Sequence, residues 1–158
     1  MRTAHADRHR REREAMLSEA TESAQRHDPF VYRIVVPEDW RNAKKTGHIP
    51  AVEVDRIDGY FHLSPHDQIL VTARMYFSPE QTPAVIEFEA DALGPTLMWE
   101  PVPQRGGRQF PHLYAEVLPL SAATALIELI ALSDGGYQFG SRTALSPATV
   151  HADETPSK

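Results

Sequence analysis

The apolar residues of this chain occur in short segments that proline and glycine repeatedly interrupt, with 13 Pro and 8 Gly among 158 residues. Several of these segments are rich in β-branched and aromatic residues or alternate apolar with polar positions, which is typical of β-strands. The predicted strands span residues 30–36, 59–63, 83–90, 96–102 and 110–118. No apolar run approaches the roughly 18 residues that a membrane-spanning helix requires.

Helix signals are fewer than strand signals. Pro37 and the acids after it predict the start of a short helix that Gly47 ends. Ser64, which precedes a proline, predicts the N-cap of a second helix with an apolar face. Residues 48–58 are predicted as a loop with at most a short strand, and residues 121–132 as helical or extended. Because no strict βαβ repeat occurs, the predicted fold class is α+β, a mostly antiparallel split sheet with short helices.

The length of the chain fits one domain, and its composition sets the boundaries of that domain. Residues 1–28 are nearly all charged or small, so we expect a charged N-terminal extension. Residues 141–158 are polar and lack an apolar period, so we expect a C-terminal tail. Residues 29–140 are the predicted folded domain.

Composition argues against several classes of function. The formal net charge is −6, so nucleic acid is not an expected partner. The chain has no cysteine, which excludes disulfides, thiolate nucleophiles and cysteine metal sites. Without a membrane-spanning run or an apolar signal segment, the expected localisation is cytoplasmic and no membrane partner is expected.

The segment GYFHLS carries the most informative pattern in the chain. Period-two alternation puts Tyr60, His62 and Ser64 on one face of a strand and the apolar Phe61 and Leu63 on the other. If the apolar side chains enter the core, the histidine and the serine face solvent or a cleft. Both a functional and a purely structural interpretation of this pair stay open. In the structural one, Ser64 is a helix cap and His62 makes a hydrogen bond at the end of a strand.

A second cluster, FPHLY, places His112 and Tyr114 together on another strand. These two residues with His62 and Ser64 suit acid–base or phosphate chemistry, and they equally suit a hydrogen-bonded pair that orders a sheet. The functional hypothesis depends on one spatial expectation: His62 and His112 lie side by side and open onto one hollow.

Glu100 is a candidate carboxylate because it alternates with Trp99 along a strand, so one of the two faces a cleft or solvent. The alternative is a solvent-facing Glu100 beside a core tryptophan. No metal is expected, because Pro65 separates His62 from the next histidine and removes the one-face helical spacing of metal ligands. The QRGGR segment is interpreted as a hairpin turn.

An ordered set of motifs resembles a family of small bacterial proteins that is classed as a domain of unknown function. The motifs are VYRI, then D-x-x-D-G-Y-F-H-L-S, V-I-E-F-E-A-D, L-x-W-E and F-P-H-L-Y. The family is grouped with the ADP-ribosyltransferase superfamily, whose members bind NAD in a cleft between two small sheets. Within that superfamily, the run His62-Leu63-Ser64 is similar to a strand of RNA 2′-phosphotransferases, whereas Arg33 stands where those enzymes have a histidine.

The resemblance implies an ADP-ribosyltransferase-like fold, a cleft for an NAD-derived or other phosphorylated nucleotide-like ligand, and ADP-ribosyl or phosphate transfer by an NAD-dependent transferase. NAD is the implied cofactor, and a small molecule or nucleotide the implied partner. The implied catalytic residues are His62, Glu100 and His112, and the implied cofactor-binding residues are Arg33, Ser64 and Tyr114. Arg33 alternatively pairs with an acid. The competing hypotheses are a non-catalytic binding or interaction domain that retains the fold, and an enzyme acting on an unrelated small molecule.

Overall fold

A computed structural model describes residues 27–146 of the chain, which form nine strands and four α-helices. The strands are β1 (Phe30–Val35), β2 (His48–Ile49), β3 (Phe61–His62), β4 (Ala84–Glu89), β5 (Leu97–Val102), β6 (Arg108–Leu113), β7 (Leu118–Pro119), β8 (Ala123–Ala131) and β9 (Tyr137–Ala144). The helices are α1 (Pro37–Thr46), α2 (Glu53–Asp58), α3 (Ile69–Tyr76) and α4 (Ala90–Leu93). None of the helices in this part of the chain combines the length and the apolar character needed to cross a membrane.

All strand pairs of residues 27–146 are antiparallel. One sheet has the order β1-β4-β8-β9, a second has the order β3-β6-β5, and β2 pairs with β7. The first two sheets meet where Tyr32 of β1 and Ser64, just after β3, exchange backbone hydrogen bonds of 3.0 and 2.8 Å. The prediction of a mixed α+β fold with antiparallel strands and short helices is therefore confirmed.

Strand β1 separates two apolar cores because its successive side chains point to opposite faces. Val31 and Val35 enter the larger core, which also contains Phe61 of β3 and Leu113 of β6. Tyr32 and Ile34 face the smaller core, beneath α3 and next to β8 and β9. Arg33 shares the face of Val31 and Val35, and this position directs its guanidinium toward β3.

Helix α1 forms where its sequence signals predict. Pro37 is at its first position and acidic residues fill its first turn, where the helix dipole favours negative charge. Its C-cap, Gly47, has a φ of 86°, a left-handed conformation that glycine adopts without a steric penalty. The predicted hairpin at QRGGR is also present, since β5 and β6 pair on either side of it.

Two local predictions are wrong, those for residues 48–58 and for Ser64. Residues 48–58 contain β2 and the helix α2 in addition to loop. Ser64 caps no helix: it lies in the backbone bridge to Tyr32, and α3 begins only at Ile69, after a short 3₁₀ turn. For residues 121–132, which were predicted as helical or extended, the structure shows the extended alternative, β8, because this segment pairs with β4 on one side and β9 on the other. Strand β9 continues to Ala144, past the predicted start of the tail at residue 141.

The predicted extension, apart from its last two residues, and residues 147–158 of the predicted tail lie outside the described residues.

Candidate functional site

Helix α2 and strand β3 build one side of the candidate site. Asp55 and Asp58 lie one turn apart on α2, which ends at Gly59 with a φ of 84°. This left-handed residue turns the chain directly into β3, so His62 comes back against the helix. The imidazole Nδ1 of His62 lies 2.8 Å from Asp55 Oδ1, and its Nε2 lies 2.8 Å from Asp58 Oδ2. Both ring nitrogens of His62 are thereby engaged by carboxylates.

Arg33 holds this arrangement in place from the interior of the protein. Its guanidinium donates two hydrogen bonds to the Asp55 carboxylate, at 3.1 and 2.6 Å, and a third of 2.9 Å to the backbone carbonyl of His62. Arg33 and Asp55 are both buried, with 6% and 3% of their surface exposed. The alternative in which Arg33 pairs with an acid is therefore the arrangement observed, and its guanidinium fork is occupied by the protein itself.

Strand β6 brings the second histidine beside the first. His62 and His112 are register partners in the antiparallel β3–β6 pair, and their ring centroids lie 5.7 Å apart. The expectation that the two histidine-bearing segments are neighbours is confirmed.

His112 is held by the adjacent strand β5. Its Nδ1 lies 2.9 Å from Glu100 Oε1, and the hydroxyl of Tyr114 donates a hydrogen bond of 2.7 Å to the same oxygen. His112 is buried, whereas the Glu100 side chain is 36% exposed and Tyr114 is exposed. Glu100 and Tyr114 are thus the solvent-facing members of this triad.

Tyr60 joins the two halves of the site. Its ring stacks on His112 at a centroid distance of 4.1 Å and lies 4.6 Å from the ring of His62 and 5.2 Å from that of Tyr114. Together Tyr60, His62, Glu100, His112 and Tyr114 form a continuous aromatic and charged surface, which we call the histidine cluster. Its outer side is lined by the ring of Tyr114 and the carboxylate of Glu100.

The surroundings push the pKa values of the two histidines apart. Burial alone would lower the pKa of His62, but its hydrogen bonds with Asp55 and Asp58 outweigh burial and raise it. Burial lowers the pKa of His112, and its hydrogen bond with Glu100 compensates only in part. His62 is therefore the more readily protonated ring and His112 the more readily neutral one, a separation that acid–base sites commonly use.

The carboxylates of the site favour their ionised forms. Burial disfavours the charge on Asp55, yet hydrogen bonds from His62 and Arg33 hold its pKa well below the ordinary range. The hydrogen bond from the Tyr114 hydroxyl has the largest effect on the pKa of Glu100 and lowers it. The hydrogen bond with His112 has the second largest effect and lowers it further. In return, the hydrogen bond with Glu100 raises the pKa of Tyr114 to about 12. Glu100 is consequently a fixed negative charge at neutral pH.

The six predicted site residues divide into two groups. The structure brings His62, Glu100, His112 and Tyr114 into the histidine cluster, whereas Arg33 lies beneath it and Ser64 is buried in the backbone bridge between the sheets. Within residues 27–146, no group of three or more histidine, aspartate or glutamate side chains is arranged to hold a metal ion.

Sequence reasoning missed three contributors, Asp55, Asp58 and Tyr60. The two aspartates were placed in a loop, where their spacing carries no meaning. A signal was available, since two acids three residues apart directly before a glycine share one face of a helix whose C-cap is that glycine. Tyr60 was placed on the same face as His62, but its stacking on His112 depends on a strand that is distant in sequence.

Comparisons with known proteins give a family and no activity. Residues 34–126 match the family described as "Protein of unknown function (DUF952)". The crystal structure of protein CC0527 from Caulobacter crescentus is 36% identical, with a TM-score of 0.63, and the match covers 69% of this chain and 93% of that chain. The solution NMR structure of CC0527 is 35% identical, with a TM-score of 0.60, and the match covers 70% and 93% of the two chains. The search of curated proteins finds no significant match. The extent of these matches establishes that the chain belongs to the DUF952 family.

Proposed function

We propose that the outer side of the histidine cluster binds a cationic N-glycoside, with NAD⁺ as the first candidate, and cleaves its glycosidic bond. The observation that carries the proposal is the state of Glu100. Its carboxylate is ionised, accessible and held in place by Tyr114 and His112 beside tyrosine rings. A fixed carboxylate next to an aromatic surface suits a ligand that is both planar and positively charged.

The balance of charges supports a cationic group over a phosphate at this position. Arg33 neutralises Asp55, and the raised pKa of His62 favours the protonated ring, which offsets Asp58. With His112 neutral, Glu100 leaves one unbalanced negative charge on the cluster. Phosphate groups of a nucleotide would therefore lie away from Glu100, and the nicotinamide ribose would lie against it.

The chemistry follows from where charge develops during the reaction. The bond between the nicotinamide nitrogen and the ribose C1′ breaks, and its electron pair neutralises the pyridinium ring. Positive charge then builds on the ribose, where Glu100 stabilises it electrostatically. Water attacks C1′ and releases a proton to solvent, so the products are nicotinamide and ADP-ribose. Transfer to another acceptor in place of water yields an ADP-ribosylated product.

The buried members of the site act as positioning residues. Asp55 and Arg33 hold the backbone and ring of His62, which together with Tyr60 supports His112 from one side. His112 and Tyr114 hold the Glu100 oxygen from two directions. A preformed carboxylate needs no reorganisation when charge appears on the ligand, which is the source of its catalytic effect.

A specific observation favours a second candidate function, a binding domain without catalysis. The fork of Arg33, which the family resemblance assigns to ligand binding, makes three hydrogen bonds to Asp55 and the His62 carbonyl. In this alternative the same surface binds the ligand, and Glu100 contributes affinity alone.

Incubation of the full chain with NAD⁺, with nicotinamide and ADP-ribose separated by chromatography, tests the proposal. We expect steady release of nicotinamide and a decrease of about 100-fold in E100Q, because the amide keeps the shape of the side chain and loses its charge. The matched control is E80Q, the same substitution at an exposed residue before β4. Its rate should equal that of the parent.

Thermal unfolding with and without NAD⁺ separates binding from catalysis, because a ligand of the folded state raises Tm. Nicotinamide release that depends on Glu100 supports the enzyme. A rise in Tm that E100Q abolishes, without release, supports the binding domain. Absence of both effects, or a rise in Tm that E100Q retains together with no release, contradicts the proposal.

A further inference from the structure

We propose that a second ligand site, for the planar heteroaromatic base of a nucleoside or nucleotide, lies on the opposite face of the β5–β6 hairpin and that His27 occupies it in the absence of ligand. Trp99 is the platform of this site. Trp99 and Glu100 are successive residues of β5, so their side chains point to opposite faces. The inference does not depend on the chemistry proposed for the histidine cluster.

His27 shows how a planar ring fits on this platform. Its imidazole lies parallel to the Trp99 indole, with ring centroids 3.9 Å apart and an angle of 3° between the planes. In the same pose its Nε2 lies 3.0 Å from Oε1 of Gln109. A nucleobase combines the same two features, a flat aromatic face and ring nitrogens at its edge. The Gln109 amide has both a donor and an acceptor with which to meet such an edge.

The space beside this platform suits a ligand larger than an imidazole. A pocket of about 470 Å³ lies between the hairpin and the segment after β3, within the size range of small-molecule sites. Trp99, Arg108 and Gln109 line it from the hairpin, and His66 and Asp67 line it from the other side.

Arg108 adds a means of binding an anionic substituent. Its guanidinium pairs with Asp67 at the rim of the pocket, where both side chains are about half exposed. An exposed pair of this kind contributes little to stability, so a phosphate can replace the carboxylate at small cost. Arginine also binds phosphate through two parallel hydrogen bonds. A nucleoside monophosphate is therefore expected to bind more tightly than its nucleoside.

The residues that follow His27 have contacts of their own, which do not involve its ring. The next residue, Asp28, accepts a hydrogen bond of 3.0 Å from the Phe30 backbone, and the carbonyl of Pro29 accepts one of 2.8 Å from Ala90. These contacts hold the chain at its entry to β1. His27 precedes these contacts, so displacement of its ring from Trp99 leaves them in place.

Binding of adenosine and AMP to the full chain tests the proposal. A W40F background leaves Trp99 as the only tryptophan, so quenching of its fluorescence reports stacking on this residue. We expect H27A to bind adenosine about fivefold more tightly than the parent, because removal of an internal competitor raises the fraction of binding-competent protein. The matched control H48A changes an exposed histidine in β2 and should leave affinity unchanged. R108Q should remove the preference for AMP over adenosine.

Two further measurements show whether adenosine displaces His27 and whether it binds apart from the histidine cluster. In the parent, the ring protons of His27 should show an upfield NMR shift from the indole, and adenosine should reverse it. E100Q should bind adenosine as the parent does, which separates this site from the histidine cluster. Equal affinities in H27A and H48A, or absence of binding in H27A, would overturn the proposal.

Discussion

Two buried carboxylates organise this protein, and they differ in where their contacts lead. Glu87 on β4 accepts hydrogen bonds from Tyr32, Thr124 and Arg142, which belong to the same four-stranded sheet. Asp55 binds Arg33 of β1, the backbone N–H of Val52 at the N-cap of α2, and His62 of β3, so it joins a helix to two sheets. The first carboxylate ties together the strands of one sheet. The second connects the core to a partly exposed histidine.

The difference indicates which polar network is structural and which supports a site. The outermost member of the Glu87 network is Arg142, a cation whose side chain is 52% exposed. From Asp55 the contacts continue through His62 and Tyr60 to His112 and then to the accessible Glu100. Unlike the Glu87 network, this network includes two histidines, whose side chains can take up and release protons near neutral pH, so it is the better candidate for function.

The largest expected effect is on stability, and it compares the two carboxylates directly. D55N should lower the free energy of unfolding by about 3–5 kcal/mol, because Arg33 is then a buried charge without its counter-ion. E87Q should lower it by about 1–3 kcal/mol, because Arg142 remains solvated and only hydrogen bonds are weakened. Urea denaturation at pH 7 measures both values. Equal losses, or a larger loss in E87Q, would contradict the assigned difference.

A smaller effect concerns the pH dependence that His62 contributes. Its folded pKa is raised, so its stabilisation is complete below the unfolded pKa of about 6.5 and is lost as pH rises through the folded value. D58N removes one partner of the ring and should therefore destabilise the fold below pH 6.5 and not at pH 9. The loss should stay under about 1 kcal/mol because Asp58 is partly exposed.

Urea midpoints at the two pH values measure this effect, with D91N, a substitution at an exposed aspartate, as the control. A loss in D58N that is independent of pH would show that the ion pair with His62 is not its origin.

The smallest expected effect is on the titration of His112. Glu100 partly offsets the lowering of the His112 pKa by burial, so E100Q should lower that pKa further. NMR titration of the imidazole protons gives the value, and E80Q should leave it unchanged. If the His112 pKa in E100Q equals that of the parent, the hydrogen bond between the two side chains does not form in solution.

Several parts of the fold were predictable because local signals decide them. Helix α1 carries a proline start, an acidic first turn and a glycine C-cap, and the strands that became β1, β4, β5 and β6 have apolar patterns bounded by turn residues. Helix α2 shares the acidic first turn and the glycine C-cap, but it is only six residues long and has neither a proline start nor a polar N-cap side chain. It is held by Asp55, whose main partners lie on other elements. Tertiary contacts of this kind leave no periodic trace in a sequence.

The same distinction applies to the candidate site. Alternation along a strand predicted that His112 and Tyr114 share a face, and their contacts with Glu100 agree. Ser64 was misplaced because a serine before a proline is also a common helix start, and here the backbone bridge to Tyr32 prevails. The burial of Arg33 depends on Asp55, a partner that a single sequence does not identify.

NMR with nicotinamide riboside, which has the charged ring and ribose but no adenine, tests most directly whether the surface around Glu100 binds a cationic N-glycoside. We expect saturable shifts at Tyr60, Glu100, His112 and Tyr114 that are lost in E100Q, whereas any shifts at Trp99 and Gln109 should persist in E100Q. Absence of shifts at the histidine cluster, or shifts there that persist unchanged in E100Q, would contradict this function.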